Sequence, residues 1–147
     1  MGRYTAVLEF AMQKHDGQLD KAGKPYILHP IEVALSLYKE SDKVVALLHD
    51  VLEDTDATIE DLKKIGVSEE EVEAIQLLTK PKKEDYIHYV KRVANNPIAR
   101  HVKMADLKHN MDLSRLSEIT DKDIQRVEKY KQAYQILHDA DVNSILH

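Results

Sequence analysis

Apolar residues recur along this chain at intervals of three and four, and no window alternates with period two for long enough to make a strand. Tyr4, Val7, Leu8, Ala11 and Met12 share one face, which predicts a helix from Tyr4 to Lys14. Gly17, Gly23 and Pro25 then mark a polar loop. That loop ends in apolar Tyr26-Ile27-Leu28 followed by His29-Pro30, so it should fold back onto the core. Pro30 suits the first turn of a helix from Ile31 to Tyr38, and its ring restricts the backbone of His29. The next helix begins near Asp42. Thr58 with Asp61, and Ser68 with Glu71, have the spacing of capping boxes, opening helices that run to Ile65 and to about Leu78. Asp85 can cap a helix through Val93 that Asn95-Asn96-Pro97 ends, and Pro97 starts another from Ile98 to Met111. A last long helix is predicted from Asp121 to His138, leaving 139–147 as a frayed tail. The pattern predicts an all-α fold of seven to nine helices, one domain over 1–147 without internal repeats.

The most informative stretch is Val44 to Thr55, an apolar run that delivers His49-Asp50 and then Glu53-Asp54. On a continuous helix His49 lies above Glu53 and Asp50 above Asp54. Such a cluster can be a solvated helix end. Its apolar approach argues for burial instead, which costs several kcal/mol unless a partner offsets it. A divalent metal is such a partner. His29 is held rigidly by Pro30, and Asp106 lies within an apolar helix with Asn110 four residues later on the same face. His29, His49, Asp50 and Asp106 would form a set of two imidazoles and two carboxylates, which suits Mn²⁺, Fe²⁺ or Zn²⁺ better than Ca²⁺. Glu53 and Asp54 are then left to handle a water or a proton.

Composition narrows the alternatives. There is no cysteine among the 147 residues, so neither disulfides nor thiolate chemistry is available, which fits a reducing, cytoplasmic setting. The net charge of −5 argues against a nucleic-acid surface. No apolar run approaches the ~20 residues of a membrane span, and the N-terminus does not read as a signal peptide. No feature of the sequence specifies an oligomer.

Three segments together resemble the HD-domain metal-dependent phosphohydrolases, and within them the alarmone hydrolase domain of the RelA/SpoT group: His15 to Pro30, Ala46 to Thr55, and Lys103 to Met111. The loop Gly17-Gln18 … Gly23-Lys24-Pro25-Tyr26-Ile27 … His29-Pro30 and the run His49-Asp50-Val51-Leu52-Glu53-Asp54-Thr55 resemble the alarmone branch in particular, including its small stand-alone members. The resemblance implies an HD-domain helical bundle. It implies His29, His49, Asp50 and Asp106 as metal ligands, with Mn²⁺ the usual ion. It further implies Glu53 and Asp54 as the pair acting on the attacking water, Lys21 as a basic residue near the substrate, and Asn110 as a contact to the ribose. The implied reaction removes pyrophosphate from the 3′ position of guanosine tetra- or pentaphosphate, leaving GDP or GTP. The chain ends where the long enzymes begin a synthetase domain, so hydrolysis without synthesis is expected.

Three positions depart from the family pattern. Asp20, Leu107 and Asp112 stand where the family carries arginine. These losses motivate a second reading, an HD phosphohydrolase for another nucleotide or nucleotide cofactor. A third reading is a non-catalytic nucleotide-binding module. Each residue also has a plainer role to be weighed: an ion pair to a nearby lysine for Asp106, a hydrogen-bonded core histidine for His29, outer carboxylates that orient ligands for Glu53 and Asp54, and a solvated lysine for Lys21. His15 reads as a support for its loop. His88, His101, His109 and His138 read as surface or structural residues. Tyr130 and Tyr134 read as a core stripe, with one of them free to face a pocket mouth.

Overall fold

The computed structural model describes residues 2–114 and 116–146. Among them the chain forms nine helices and no strand; Leu19 and Pro25 make an isolated antiparallel bridge within the first loop. The helices are α1 (Gly2–Lys14), α2 (Leu28–Leu35), α3 (Glu40–Leu48), α4 (Val51–Asp54), α5 (Ile59–Lys64), α6 (Glu69–Leu78), α7 (Tyr86–Val93), α8 (Pro97–Asn110) and α9 (Asp121–Leu146).

α3 is the centre of the bundle. Val44 to Leu48 are five consecutive residues with no exposed surface. A helix apolar on every side must be surrounded, and α3 packs against α1, α2, α6 and α8. α9 lies on the outer side of α7 and α8. Local signals open the helices as predicted. Thr58–Asp61 and Ser68–Glu71 form complete capping boxes, Asp85 caps α7, and Asn96 caps α8 ahead of Pro97. Arg3 of α1 clamps Glu71 of α6 with two hydrogen bonds, Nη1 to Oε1 at 2.6 Å and Nη2 to Oε2 at 2.9 Å.

Boundaries differ from expectation at several points; α2, for one, ends at Leu35 and not at Tyr38. α2 begins at Leu28, before Pro30, because proline needs no partner for a backbone N–H anywhere in a first turn. The stretch Val44–Thr55 is not one helix. α3 stops at Leu48, Asp50 adopts φ −104° and ψ −2°, and the chain resumes as the short α4. Here the His49 Nδ1–H donates to the Ala46 carbonyl at 2.6 Å, a local bond that competes with continuation of the helix. Finally, 139–146 is not a frayed tail. α9 continues to Leu146, because Asp141 takes hydrogen bonds from Arg100 Nε and His101 Nε2, both at 3.0 Å.

Candidate active site

The break between α3 and α4 faces the start of α2 and the middle of α8. His29 on α2, His49 at the end of α3 and Asp106 on α8 are all buried, at 6%, 5% and 4% exposure. The ligating atoms of His29, His49 and Asp50 lie within 4.8 Å of one another. Asp106 joins them: its Oδ1 is 2.6 Å from His29 Nε2 and 3.3 Å from His49 Nε2. His49 Nε2 is also 3.2 Å from Asp50 Oδ2, yet it is a buried atom without a hydrogen-bond partner. Because Nδ1 of this ring is committed to the Ala46 carbonyl, Nε2 is the atom that offers a lone pair. An orphaned imidazole nitrogen facing carboxylate oxygens suits a divalent metal.

The electrostatics favour positive charge at the same point. Burial works against a charged His49, but the carboxylates of Asp50 and Asp106 outweigh it and hold its pKa well above the ordinary value. Burial likewise opposes charge on Asp50, and the His49 charge overcomes this, lowering the carboxyl to about 2. Asp106 is held well below its ordinary pKa against burial, chiefly by the Lys103 ammonium. That ammonium lies 3.1 Å from Asp106 Oδ2. The plainer reading of Asp106, a pair with a nearby lysine, therefore coexists with its place in the cluster. Glu53 and Asp54 sit beside the cluster on α4 and are exposed. Burial and the charge of Asp50 raise both of their pKa values, which makes each a stronger base than a free carboxylate.

Beside the cluster lies a cavity of about 450 Å³, lined by residues from the first loop, α8 and α9. Lys21 and Asn110 both line it. The Asn110 amide donates to Asp106 Oδ1 at 3.3 Å, so part of its capacity is spent on the cluster. The three departures from the family pattern have structural roles. Asp20 Oδ1 accepts from the backbone N–H groups of Ala22 and Lys24, both at 2.9 Å, and so shapes the loop. Leu107 is fully buried in the core. Asp112 Oδ1 accepts from Ser114 N at 2.9 Å just after α8.

Several residues of this site were not singled out from the sequence. Lys103 and His109 flank Asp106 at three residues on either side, a helical spacing that could have pointed to both. Tyr26 donates its hydroxyl to Asp50 Oδ2. Arg126 reaches the cavity from α9, where only the tertiary fold brings it, beside Tyr130, the stripe tyrosine that faces the cavity. His15 supports the loop as expected, with Nδ1 2.9 Å from Gln18 Oε1 and its ring against Tyr26. Of the remaining histidines, His88 pairs with Glu84, His138 stacks on Tyr134, and His101 joins Asp42 to Asp141. His109 alone among these four contacts the cluster, through His29.

No protein-family model matches the chain. Individual relatives do. A guanosine-3′,5′-bis(diphosphate) 3′-pyrophosphohydrolase of Aquifex aeolicus is 50% identical over 60 residues, covering 38% of this chain and 9% of the relative. The bifunctional (p)ppGpp synthase/hydrolase SpoT of Escherichia coli K12 is 35% identical over 115 residues, covering 69% of this chain and 16% of SpoT. The solved structure of a metazoan SpoT ortholog, described as hydrolysing ppGpp and playing a role in starvation responses, superposes with a TM-score of 0.74 at 26% identity, covering 95% of this chain and 85% of that one. In sequence and in fold the chain resembles the (p)ppGpp hydrolase domain of the RelA/SpoT group. It spans only a small part of the curated relatives, 9% and 16% of their lengths, whereas it matches most of the metazoan hydrolase. No helix among the described residues is long and apolar enough to cross a membrane.

Proposed function

We propose that this domain is a (p)ppGpp 3′-pyrophosphohydrolase: it adds water across the bond between the ribose 3′ oxygen and its phosphorus, releasing pyrophosphate and leaving GDP or GTP. The observation that carries this reading is the cavity itself. A cluster of two imidazoles and two carboxylates adjoins a space of about 450 Å³ whose lining supplies Lys21, Lys103, Arg126 and the Tyr130 ring. Cations are what an oligophosphate needs, and an aromatic face suits a base. Lys103 and Arg126 are paired with Asp106 and Asp123, and Asp20 and Asp112 also line the space, so what favours the alarmone over another nucleotide is the likeness to named (p)ppGpp hydrolases.

His29, His49, Asp50 and Asp106 would hold the metal, and Mn²⁺ is the ion proposed, ahead of Fe²⁺ or Zn²⁺. Such an ion supplies Lewis acidity toward phosphoryl oxygens and acidifies water. Glu53 and Asp54, with pKa values raised by burial and by Asp50, orient the water and take its proton. Lys103 keeps Asp106 ionised and presents an ammonium to the phosphates. Lys21 steadies the substrate from the loop, and Asn110 reaches the ribose.

The test is to incubate the Mn²⁺-loaded protein with ppGpp beside a panel of other phosphorylated nucleotides and to resolve the products by chromatography. GDP and pyrophosphate are expected from ppGpp. Turnover of another nucleotide with ppGpp left intact would replace the substrate assignment, and no turnover of any compound would leave a binding module.

A further inference from the structure

His29 and His49 use one nitrogen each toward the cluster, and each hands its other nitrogen to a partner outside it. For His49 the partner is the Ala46 carbonyl, 2.6 Å from Nδ1. A carbonyl oxygen can only accept, so it fixes the proton on Nδ1 and frees Nε2. For His29 the partner is a second imidazole. His29 Nδ1 lies 2.6 Å from His109 Nδ1, with the ring centroids 4.7 Å apart. Two neutral imidazoles facing each other through Nδ1 share a single proton, and its owner decides what His29 can do. If His109 donates, the His29 proton sits on Nε2, against Asp106 Oδ1 at 2.6 Å, and that nitrogen has no lone pair to give. If His29 donates, Nε2 is free to ligate and His109 carries its own proton on Nε2. Only the second arrangement makes His29 equivalent to His49.

We infer that His109 is a positioning residue: its Nδ1 accepts the proton of His29 Nδ1, selects the ligating tautomer and holds the ring toward the cluster, as the Ala46 carbonyl does for His49. This rests on the reading of His29 as a metal ligand. Outer partners of metal-bound histidines commonly contribute ~10–100-fold to metal affinity. The geometry distinguishes an accepting role from mere packing, because an asparagine at 109 places an amide oxygen near the position of Nδ1, whereas leucine fills similar space with no acceptor.

The experiment titrates the full chain with Mn²⁺ and follows the electron paramagnetic resonance of the free ion, for wild type, His109→Leu, His109→Asn and His29→Ala. His109→Leu should weaken binding by ~10–100-fold, and His109→Asn should restore most of the loss. Equal affinity of His109→Leu and wild type would overturn the proposal, as would a His109→Asn protein as weak as His109→Leu. A second measurement needs no substitution. In Zn²⁺-loaded wild type the ¹⁵N shifts of His29 should report a protonated Nδ1, and a protonated Nε2 would overturn the assignment. If wild type bound no Mn²⁺, or His29→Ala bound it as wild type does, the metal reading would fail first and take this inference with it. That outcome is separable from a failure confined to the His109 variants.

Discussion

Asp106 shows how much one side chain can organise. It meets His29, His49, Lys103 and Asn110 at distances between 2.6 and 3.3 Å. Replacing it with alanine removes a proposed ligand and also leaves the partly buried Lys103 ammonium without its anion. Asp106→Ala should therefore abolish turnover, weaken Mn²⁺ binding and destabilise the fold by about 3 kcal/mol, the last measured by urea unfolding. Glu53→Gln should behave differently. Glu53 makes none of these contacts, so its loss should slow turnover by ~10²-fold or more while Mn²⁺ stays bound. Release of the metal by Glu53→Gln would move that residue from the water to the ligand set. The difference between the two residues also explains what could be read in advance. His29, His49, Asp50 and Asp106 stood out because ionisable groups inside apolar runs are costly, and that cost is visible in the order of residues. Tyr26 and Arg126 carry no such mark. A tyrosine ending a loop and an arginine on an amphipathic helix are ordinary anywhere, and only the packing of α9 and the first loop gives them a role here.

Helix starts follow the same division between local and distant causes. The Ser68 hydroxyl accepts from Glu71 N at 3.2 Å, and the Glu71 carboxylate accepts from Ser68 N at 3.0 Å. All the groups involved lie within four residues, so the box is legible in sequence. Ser68→Ala should cost about 1 kcal/mol in chemical denaturation, with turnover by the folded protein unchanged; a loss of turnover without a loss of stability would contradict a purely capping role. The stop at Leu48 and the continuation of α9 to Leu146 are different in kind. Nothing between Val44 and Thr55 is a helix breaker, and the interruption coincides with the His49–Ala46 bond inside a buried site. Nothing between Asp139 and Leu146 favours order by itself. Asp141 orders that turn by meeting Arg100 and His101, about forty residues away. The break at His49 serves the site, since His49 Nε2 there lies 3.2 Å from Asp50 Oδ2 and 3.3 Å from Asp106 Oδ1, where a regular helix would turn successive residues about 100° apart.

At the scale of the whole molecule, the ends of the bundle are joined by carboxylates whose charge the fold protects. Burial opposes ionisation of Glu71, but the Arg3 fork and the Ser68 N–H outweigh it and bring its pKa from 4.5 down to about 2. Burial also opposes Asp141, where Arg100 and His101 prevail and lower it. A carboxyl whose pKa is lower folded than unfolded binds fewer protons when folded. Its contribution is therefore complete above the unfolded value and fades as pH falls through the folded one. For Glu71 that window runs from about 4.5 to about 2. Glu53 and Asp54 have the opposite sign, since burial and Asp50 raise them, so they favour the folded state as acid is added and partly mask the loss. A substitution separates the two effects. Glu71→Gln keeps an acceptor for Ser68 N but removes the charge that Arg3 clamps, and should lower stability near pH 7 by about 2 kcal/mol. Thermal unfolding of both proteins from pH 7 to pH 2 should show that difference constant down to about pH 5 and shrinking toward zero at the acid end. A difference that persisted unchanged to pH 2 would mean that Glu71 ties α1 to α6 by shape and hydrogen bonding, with its charge contributing nothing.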